Sequence, residues 1–405
     1  MKKLFDVPQE KVLSNQAIIT LINHTVFQFG NSLSLIFVNL YLWRLTNSLW
    51  INGLFNLIAL LSAPLATIII GKLVKQKDRL TAYRYGIFLT ALFYLCIIVT
   101  QEHIVTYFYW FAFLKGISTA CYWLGYFTLM YDVSNNDNRH RYLGWNLILT
   151  NMANVIGPAA AGLIIMRYTD LSGYLIVFSL AFVMFFISTF GSLKMKKSDM
   201  HHRQYYMKYL PLMLRKNPQF LRTLAGWLIV GLPQGILMYV PHILLYTVFP
   251  SEGFVGNMNM IFFGISIFAS YLISRFAHLD STRLYLWIAA IGFSFSSLFI
   301  LWEISVWSVI IFMSINSLFK PLQANAYAAH YYQWIGRLPL KQHFRVESIV
   351  LRETIINIGR ALGVLIFMFF SGDLDAVIMP WIVAFVMMLQ LLIPVLTEKT
   401  NAKEL

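Results

Sequence analysis

The sequence predicts an all-α membrane protein of twelve transmembrane helices, arranged as two pseudo-symmetric six-helix bundles with both termini cytoplasmic. Three observations carry this. Twelve apolar stretches fill most of the 405 residues. The composition is 59% hydrophobic and 12% charged, with a mean hydropathy of +0.65, which no soluble core matches. The Lys and Arg residues between the stretches fall almost entirely on alternate connections.

In chain order the stretches are 17–43, 47–71, 85–101, 104–130, 143–166, 172–193, 223–248, 254–274, 284–302, 305–330, 350–370 and 376–396. Each supplies the roughly 20 apolar residues that a helix rising about 1.5 Å per residue needs to cross about 30 Å of hydrocarbon. Lys2, Lys3 and Lys11 precede the first stretch, as in a signal peptide, but it continues to residue 43 with no small-residue cleavage pattern. It reads as a retained first helix.

With the N-terminus inside, two basic residues (Arg44, Arg167) fall on outside loops and four (Lys115, Lys320, Arg352, Arg360) within spans, leaving 25 of the 31 Lys and Arg on inside segments. The positive-inside rule therefore sets the orientation, and implies a multi-pass protein of the cell (plasma) membrane. Outside loops carry Glu102, Asp170, Glu252, Glu303, Asp373 and Asp375 instead. The net charge of +14 is a topology signal. It does not point to nucleic acid, because the basic residues sit on short membrane loops.

Residues 194–222 form one long basic connection that divides the chain into an N-terminal bundle, 1–193, and a C-terminal bundle, 223–405. Its stretch from Gln204 to Leu214 can lie on an anionic inner leaflet, although Pro211 would interrupt a helix there; a solvated linker is the simpler alternative. Cys96 and Cys121 both lie inside spans, without metal-ligand companions. A weak half-chain repeat supports the two-bundle division. Asn154, Gly157 and Gly162 of span five match Asn357, Gly359 and Gly363 of span eleven at offsets of 203, 202 and 201.

Span five also carries Gly144, Ala153, Gly157-Pro158 and Ala161-Gly162. This resembles the antiporter-type signature of the major facilitator superfamily, with two glycines replaced by alanine, and the resemblance extends over essentially the whole chain. Gly144, Gly157, Pro158 and Gly162 are then expected to pack helices closely, and the signature is associated with exporters. The loop between spans two and three resembles the family's gating signature in part, through Gly71, Leu73 and Arg79, with Lys75 in place of the usual Asp. Asp132 is placed to meet Arg79 or Arg84 as a gate latch, or to be a plain interfacial carboxylate near Arg139 and Arg141. The fourth-helix signature is nearly absent: Ala112 stands for its Arg, and Lys115-Gly116 for its Gln-Gly.

Polar residues inside spans are costly and mark where water or substrate runs. They form stripes at helical spacing. His24, Gln28 and Asn31 lie on span one. Lys115, Tyr122 and Tyr126, with Trp123 adjacent, lie on span four. Gln234 and His242 lie on span seven, and Asn316, Lys320, Gln323 and Tyr327 on span ten. The family resemblance implies that these four helices line a central cavity. Counted from the outer helix ends, Lys115 lies about 16 Å deep and Lys320 about 22 Å deep, too deep to snorkel easily. An anionic or strongly polar solute held between them and stacked on Tyr122, Trp123 and Tyr126 is one reading. The other is that each lysine caps carbonyls freed at Gly116 or Pro321, or pairs with a gate carboxylate. On span eleven, Glu353, Asn357 and Arg360 share a face, where an interhelical network is expected rather than direct substrate contact.

No phosphate-cradling loop, metal-ligand spacing or nucleophile signature is present in the sequence, so an enzyme is not expected and no cofactor is called for. His201-His202 in the linker reads as a solvated pair. Where protons drive transport, His24 is the candidate switch, with Glu353 and Asp132 behind it. The functional expectation is a monomeric secondary transporter of a small organic or lipid-like solute amid membrane lipids. An exporter or antiporter leads, with glycolipid flipping or anionic-metabolite uptake as alternatives within that class. A non-transporting receptor on the same fold is the alternative outside it.

Overall fold

The computed structural model describes residues 12–76, 78–134, 138–196, 204–276, 281–337, 344–371 and 377–397. Lys2, Lys3, Lys11, His201, His202, Asp373 and Asp375 lie outside the described residues. The first part of the chain folds into α1 (Asn15–Thr46), α2 (Leu49–Gln76), α3 (Arg79–Thr100), α4 (Phe108–Asp132), α5 (Arg139–Ile165) and α6 (Ser172–Leu193). After α7 (Leu210–Lys216) come α8 (Pro218–Leu237), α9 (Val240–Val248), α10 (Glu252–Phe276) and α11 (Thr282–Trp302). The chain then forms α12 (Val306–Arg337), α13 (Arg345–Ser371), α14 (Met379–Met388) and α15 (Leu392–Leu396).

Several ends follow from local chemistry. Ser14 accepts the Ala17 N–H at the start of α1, and Asp78 accepts the Leu80 N–H at the start of α3, each satisfying a donor the helix cannot. Asn47, at φ 48°, closes α1 in the left-handed region that Asn tolerates. Pro211 sits in the first turn of α7, where a missing N–H costs nothing, so it starts a helix rather than interrupting one. Several helices, α1, α3, α5 and α13 among them, begin before their apolar stretch because hydropathy marks only the apolar part, whereas α4 begins at Phe108, inside its stretch.

Two interior prolines leave carbonyls without a helical donor, and side chains take them over. Gln390 Nε2 donates to the Ile229 carbonyl, freed by Pro233, at 2.8 Å. Ser266 Oγ donates to the Ser317 carbonyl, freed by Pro321, at 2.9 Å. Beyond Pro233 the helix breaks at Met238–Tyr239, so the expected seventh span consists of α8 and α9. The twelfth is likewise split into α14 and α15.

Within the first part, α3 and α2 pack on α4, and α1 packs on α5 and α6. Within the second, α8 packs on α13, and α12 on α10 and α11. The two parts meet along α2 with α13 and along α5 with α10. Glycines permit the closest approaches. A Cβ on Gly359 would strike the Leu228 carbonyl of α8, and one on Gly256 the Pro158 carbonyl of α5. Gly157 and Gly162 are equally tight, against Ser32 and Glu252. Gly144 departs from the packing role its signature implied: it is exposed, and a Cβ added there would meet nothing within 4 Å. We therefore expect Gly359→Val to lower the unfolding temperature of the detergent-purified protein by many degrees, or to prevent its recovery. Gly144→Ala should be neutral or mildly stabilising, as at any exposed helix position.

Among the described residues, ten helices are long and apolar enough to cross a membrane. The helices α4 and α12 do not pass that combined measure, and they are the two that carry mid-helix lysines.

Candidate functional site

A cavity of about 430 Å³ lies among α1, α3, α4 and α8–α14. This is the size range of small-molecule sites. Asn31 reaches it from α1, and Lys115, Tyr122 and Trp123 from α4. Gln234 and His242 face it from α8 and α9, across the helix break. Asn316, Lys320 and Gln323 line it from α12, and Arg360 from α13. Phe93, Phe263, Phe293, Met238 and Met387 supply apolar walls.

Its charges are all of one sign: Lys115, Lys320 and Arg360, with no Asp or Glu among the described residues that line it. Lys115 Nζ is buried without a hydrogen-bond partner among the described residues and lies 5.1 Å from the centre of the Phe55 ring. It therefore caps no carbonyl freed near Gly116. Lys320 is exposed although it sits mid-helix, because its side chain opens into the cavity. The carbonyl that Pro321 frees is already held by Ser266, so Lys320 is not needed there. Arg360 donates from Nε and Nη2 to Gln234 Oε1 at 3.0 and 2.7 Å, and from Nη1 to Asn357 Oδ1 at 3.0 Å. The interhelical network expected on this helix is thus present, and its arginine also reaches the cavity.

Four residues of the expected stripes lie outside the cavity lining. His24 stacks on Tyr126 at 3.6 Å between ring centres and shares a 2.5 Å hydrogen bond with the Tyr122 hydroxyl. Tyr126 donates to Asn146 Oδ1, and Tyr327 donates to the Thr223 carbonyl at 2.6 Å. Gln28 is buried, with its Oε1 unpartnered among the described residues. These residues share faces with the cavity residues but sit where neighbouring helices have converged. A stripe gives the face, not the depth at which the space closes.

Ion pairs link the two parts of the chain at both ends of the cavity helices. Arg44 of α1 pairs with Glu252 of α10 at 2.5 Å, and Tyr174 donates to the same carboxylate at 2.9 Å. At the other end, Lys75 of α2 donates to both oxygens of Glu347 on α13 at 2.7 and 2.8 Å. The Tyr206 N–H of the linker donates to Glu347 at 2.8 Å, and the Lys75 ammonium lies 5.1 Å from the Tyr206 ring. Nearby, a Cβ on Gly71 would press on Val350 of α13 at 2.7 Å.

Arg79 forms an exposed ion pair with Asp132, while Arg84 instead donates to the Ser192 and Met195 carbonyls at the end of α6. Glu353 pairs with its neighbour Arg352 at 2.7 Å. Sequence reading placed Lys75 only as a departure from a motif. Its partner lies 272 residues away, and the one local signal was a carboxylate in a basic segment.

Residues 17–330 match the family model described as the Major Facilitator Superfamily. The chain belongs to this superfamily and is a multi-pass secondary transporter rather than an enzyme. It is 26% identical over 343 residues to the Bacillus subtilis (strain 168) protein YqgE, covering 85% of this chain and 80% of that one. A protein from the sodM 3′ region of Geobacillus stearothermophilus is 34% identical over 152 residues, which is 38% of this chain and 71% of the relative. Solved structures share the fold. The nucleoside transporter NupG superposes with a TM-score of 0.73 at 10% identity, over 95% of this chain and 100% of that one. The D-xylose-proton symporter superposes at 0.70 and 10%, over 95% and 97%. A bacterial homologue of the iron transporter ferroportin superposes at 0.63 and 13%, over 94% and 98%.

Proposed function

We propose that this chain moves a small organic anion, or an amphipath with an anionic end, by alternating access around the central cavity. The observation that carries the reading is the set of three cationic side chains, Lys115, Lys320 and Arg360, in one cavity with no lining carboxylate among the described residues. Burying like charges together is unfavourable unless a counter-charge arrives, and an intramembrane ionisable group is a functional group by default. The same field repels metal cations and organic ammonium groups. Aromatic walls at Tyr122 and Trp123 suit a solute with an apolar or planar body.

In this proposal α4 and α12 also cross the bilayer, giving twelve spans, with both termini cytoplasmic in the plasma membrane. Residues 1–193 and 223–405 act as two bundles joined by 194–222, in a monomer surrounded by lipid. Export or antiport is the preferred mode. It rests on the span-five signature, whose Gly157 and Gly162 pack tightly against Ser32 and Glu252. The pair Lys75 and Glu347 and the pair Arg44 and Glu252 act as the gates at opposite ends.

Purified protein in proteoliposomes, loaded with organic anions and assayed for efflux and exchange with and without a pH gradient, tests this. Flux of anions but not of size-matched neutral or cationic solutes is expected. No flux of any solute under either condition would favour a receptor built on the same fold.

A further inference from the structure

The hydrogen bonds around the cavity fix which polar atoms remain for a solute, because each ends on a group that can play only one role. Asn259 Nδ2 donates to the Val255 carbonyl at 2.8 Å, which turns its Oδ1 toward His242 Nε2 at 2.9 Å. A carbonyl only accepts, so Nε2 carries the hydrogen, and in the neutral ring Nδ1 is an acceptor. That Nδ1 is buried without a partner among the described residues. Asn316 Nδ2 is used twice, toward the Phe312 carbonyl at 2.7 Å and Ser296 Oγ at 3.0 Å, leaving its buried Oδ1 unpartnered there too. Gln390 donates to the Ile229 carbonyl and accepts from Gln323 Nε2 at 2.9 Å, so Gln323 keeps its Oε1 for the cavity. Arg360, which only donates, occupies Gln234 Oε1 and leaves Gln234 its amide hydrogens.

The cavity therefore offers two chemistries. Lys115, Lys320 and Gln234 present donors, while His242 Nδ1, Asn316 Oδ1 and Gln323 Oε1 present acceptors. All three acceptors come from α9 and α12. A simple carboxylate or phosphate can satisfy the first set only. An unpartnered buried acceptor costs free energy until a donor meets it, so His242 Nδ1 and Asn316 Oδ1, with Gln323 beside them in the lining, select for solutes that bring hydrogens of their own. An ammonium would bring them, but it would enter the field of three cations. Hydroxyl groups bring hydrogens without charge.

We propose that the transported solute is a polyhydroxylated organic anion, a sugar acid or sugar phosphate in chemical type, with its anionic group toward the lysines and its hydroxyls on His242, Asn316 and Gln323. This rests on the reading of the cavity as an anion site and narrows it. Site selectivity of this kind can be large, because an analogue lacking the hydroxyl leaves the protein's own polar atoms unpaired.

The test is thermal stabilisation of the full-length protein in detergent by matched probes: gluconate against hexanoate, glucose 6-phosphate against cyclohexyl phosphate, and neutral glucitol. The hydroxylated member of each pair should bind about 10- to 100-fold more tightly than its deoxy partner, and more tightly than glucitol. Asn316→Leu and His242→Phe should shrink that ratio. Equal stabilisation by both members of each pair would overturn this proposal and leave the anion site standing. Stabilisation by no anion beyond that of glucitol would overturn both. The wild-type comparison decides the matter even where a variant fails to fold.

Discussion

Lys320→Gln and Lys115→Gln are each expected to reduce binding and transport of an anionic solute by about 100-fold or more, while the empty proteins become more stable than wild type. The two signs come from the same physics. In a partly dehydrated cavity an ammonium at contact distance is worth several kcal/mol to an anion, on the order of 4 kcal/mol at 4 Å with an effective dielectric near 20. Without a solute, the same ammonium is a cost. Lys115 Nζ has no hydrogen-bond partner among the described residues, and Lys320 shares its cavity with Arg360. Removing the buried unpaired ammonium of Lys115, or one of the like charges at Lys320, relieves that cost. A lysine with a merely structural role would give the opposite signature, a lower unfolding temperature in the empty state and unchanged ligand stabilisation. Unfolding temperatures with and without ligand therefore read both signs in one experiment. Retention of wild-type affinity and transport by both variants would remove the basis for an anion cavity.

Glu347→Ala should loosen the linker end of the molecule. Glu347 is fully buried and receives three hydrogen bonds, two from Lys75 and one from the Tyr206 N–H. Removing one partner of a buried pair leaves the other uncompensated, at a cost of about 3–5 kcal/mol. That cost falls on the arrangement that keeps α2 against α13. A state in which they separate is penalised less, so its population rises by up to about two to four orders of magnitude. A cysteine at Val350, which is 0% exposed, reports this in a background lacking Cys96 and Cys121. It should react with a thiol reagent much faster in Glu347→Ala than in wild type. Charge reversal at both positions, Lys75→Glu with Glu347→Lys, should bring the rate back toward wild type. Equal labelling rates in all three proteins would show that the pair does not hold this end closed.

The helical class and the alternation of basic loops were legible in the sequence because a bilayer imposes both directly. Lipid demands helices of a minimum apolar length, and charge distribution sets their direction. The mid-helix lysines were legible for a related reason: in apolar surroundings each is conspicuous. The depth of the cavity was not. His24 and Asn31 occupy the same face of α1, yet only Asn31 reaches open space, because His24 meets Tyr122 and Tyr126 where α1 and α4 have closed together. Tyr327 likewise follows Gln323 along α12 but ends on the Thr223 carbonyl. Nor did the sequence connect Lys75 to Glu347 or Arg44 to Glu252. Their partners are chosen by the seams between the two parts of the chain, α2 with α13 and α5 with α10, which no local spacing encodes. Arg360 belongs to the same class: its helix was read as support, and its reach into the cavity depends on how closely the Gly359 backbone lets α13 approach α8.

A carrier that takes an anion into a positively lined cavity is also sensitive to voltage. Lys115, Lys320 and Arg360 stay with the protein as the cavity opens to each side in turn, so in the proposed cycle the charge that crosses the field is the solute's own. An inside-negative potential is worth about 2.3 kcal/mol per elementary charge for each 100 mV. It drives a departing monoanion outward and opposes its entry by the same amount, giving about a fifty-fold bias at 100 mV. The membrane potential alone would thus favour export of a monoanion by such a carrier until its outside concentration reached about fifty times the inside one.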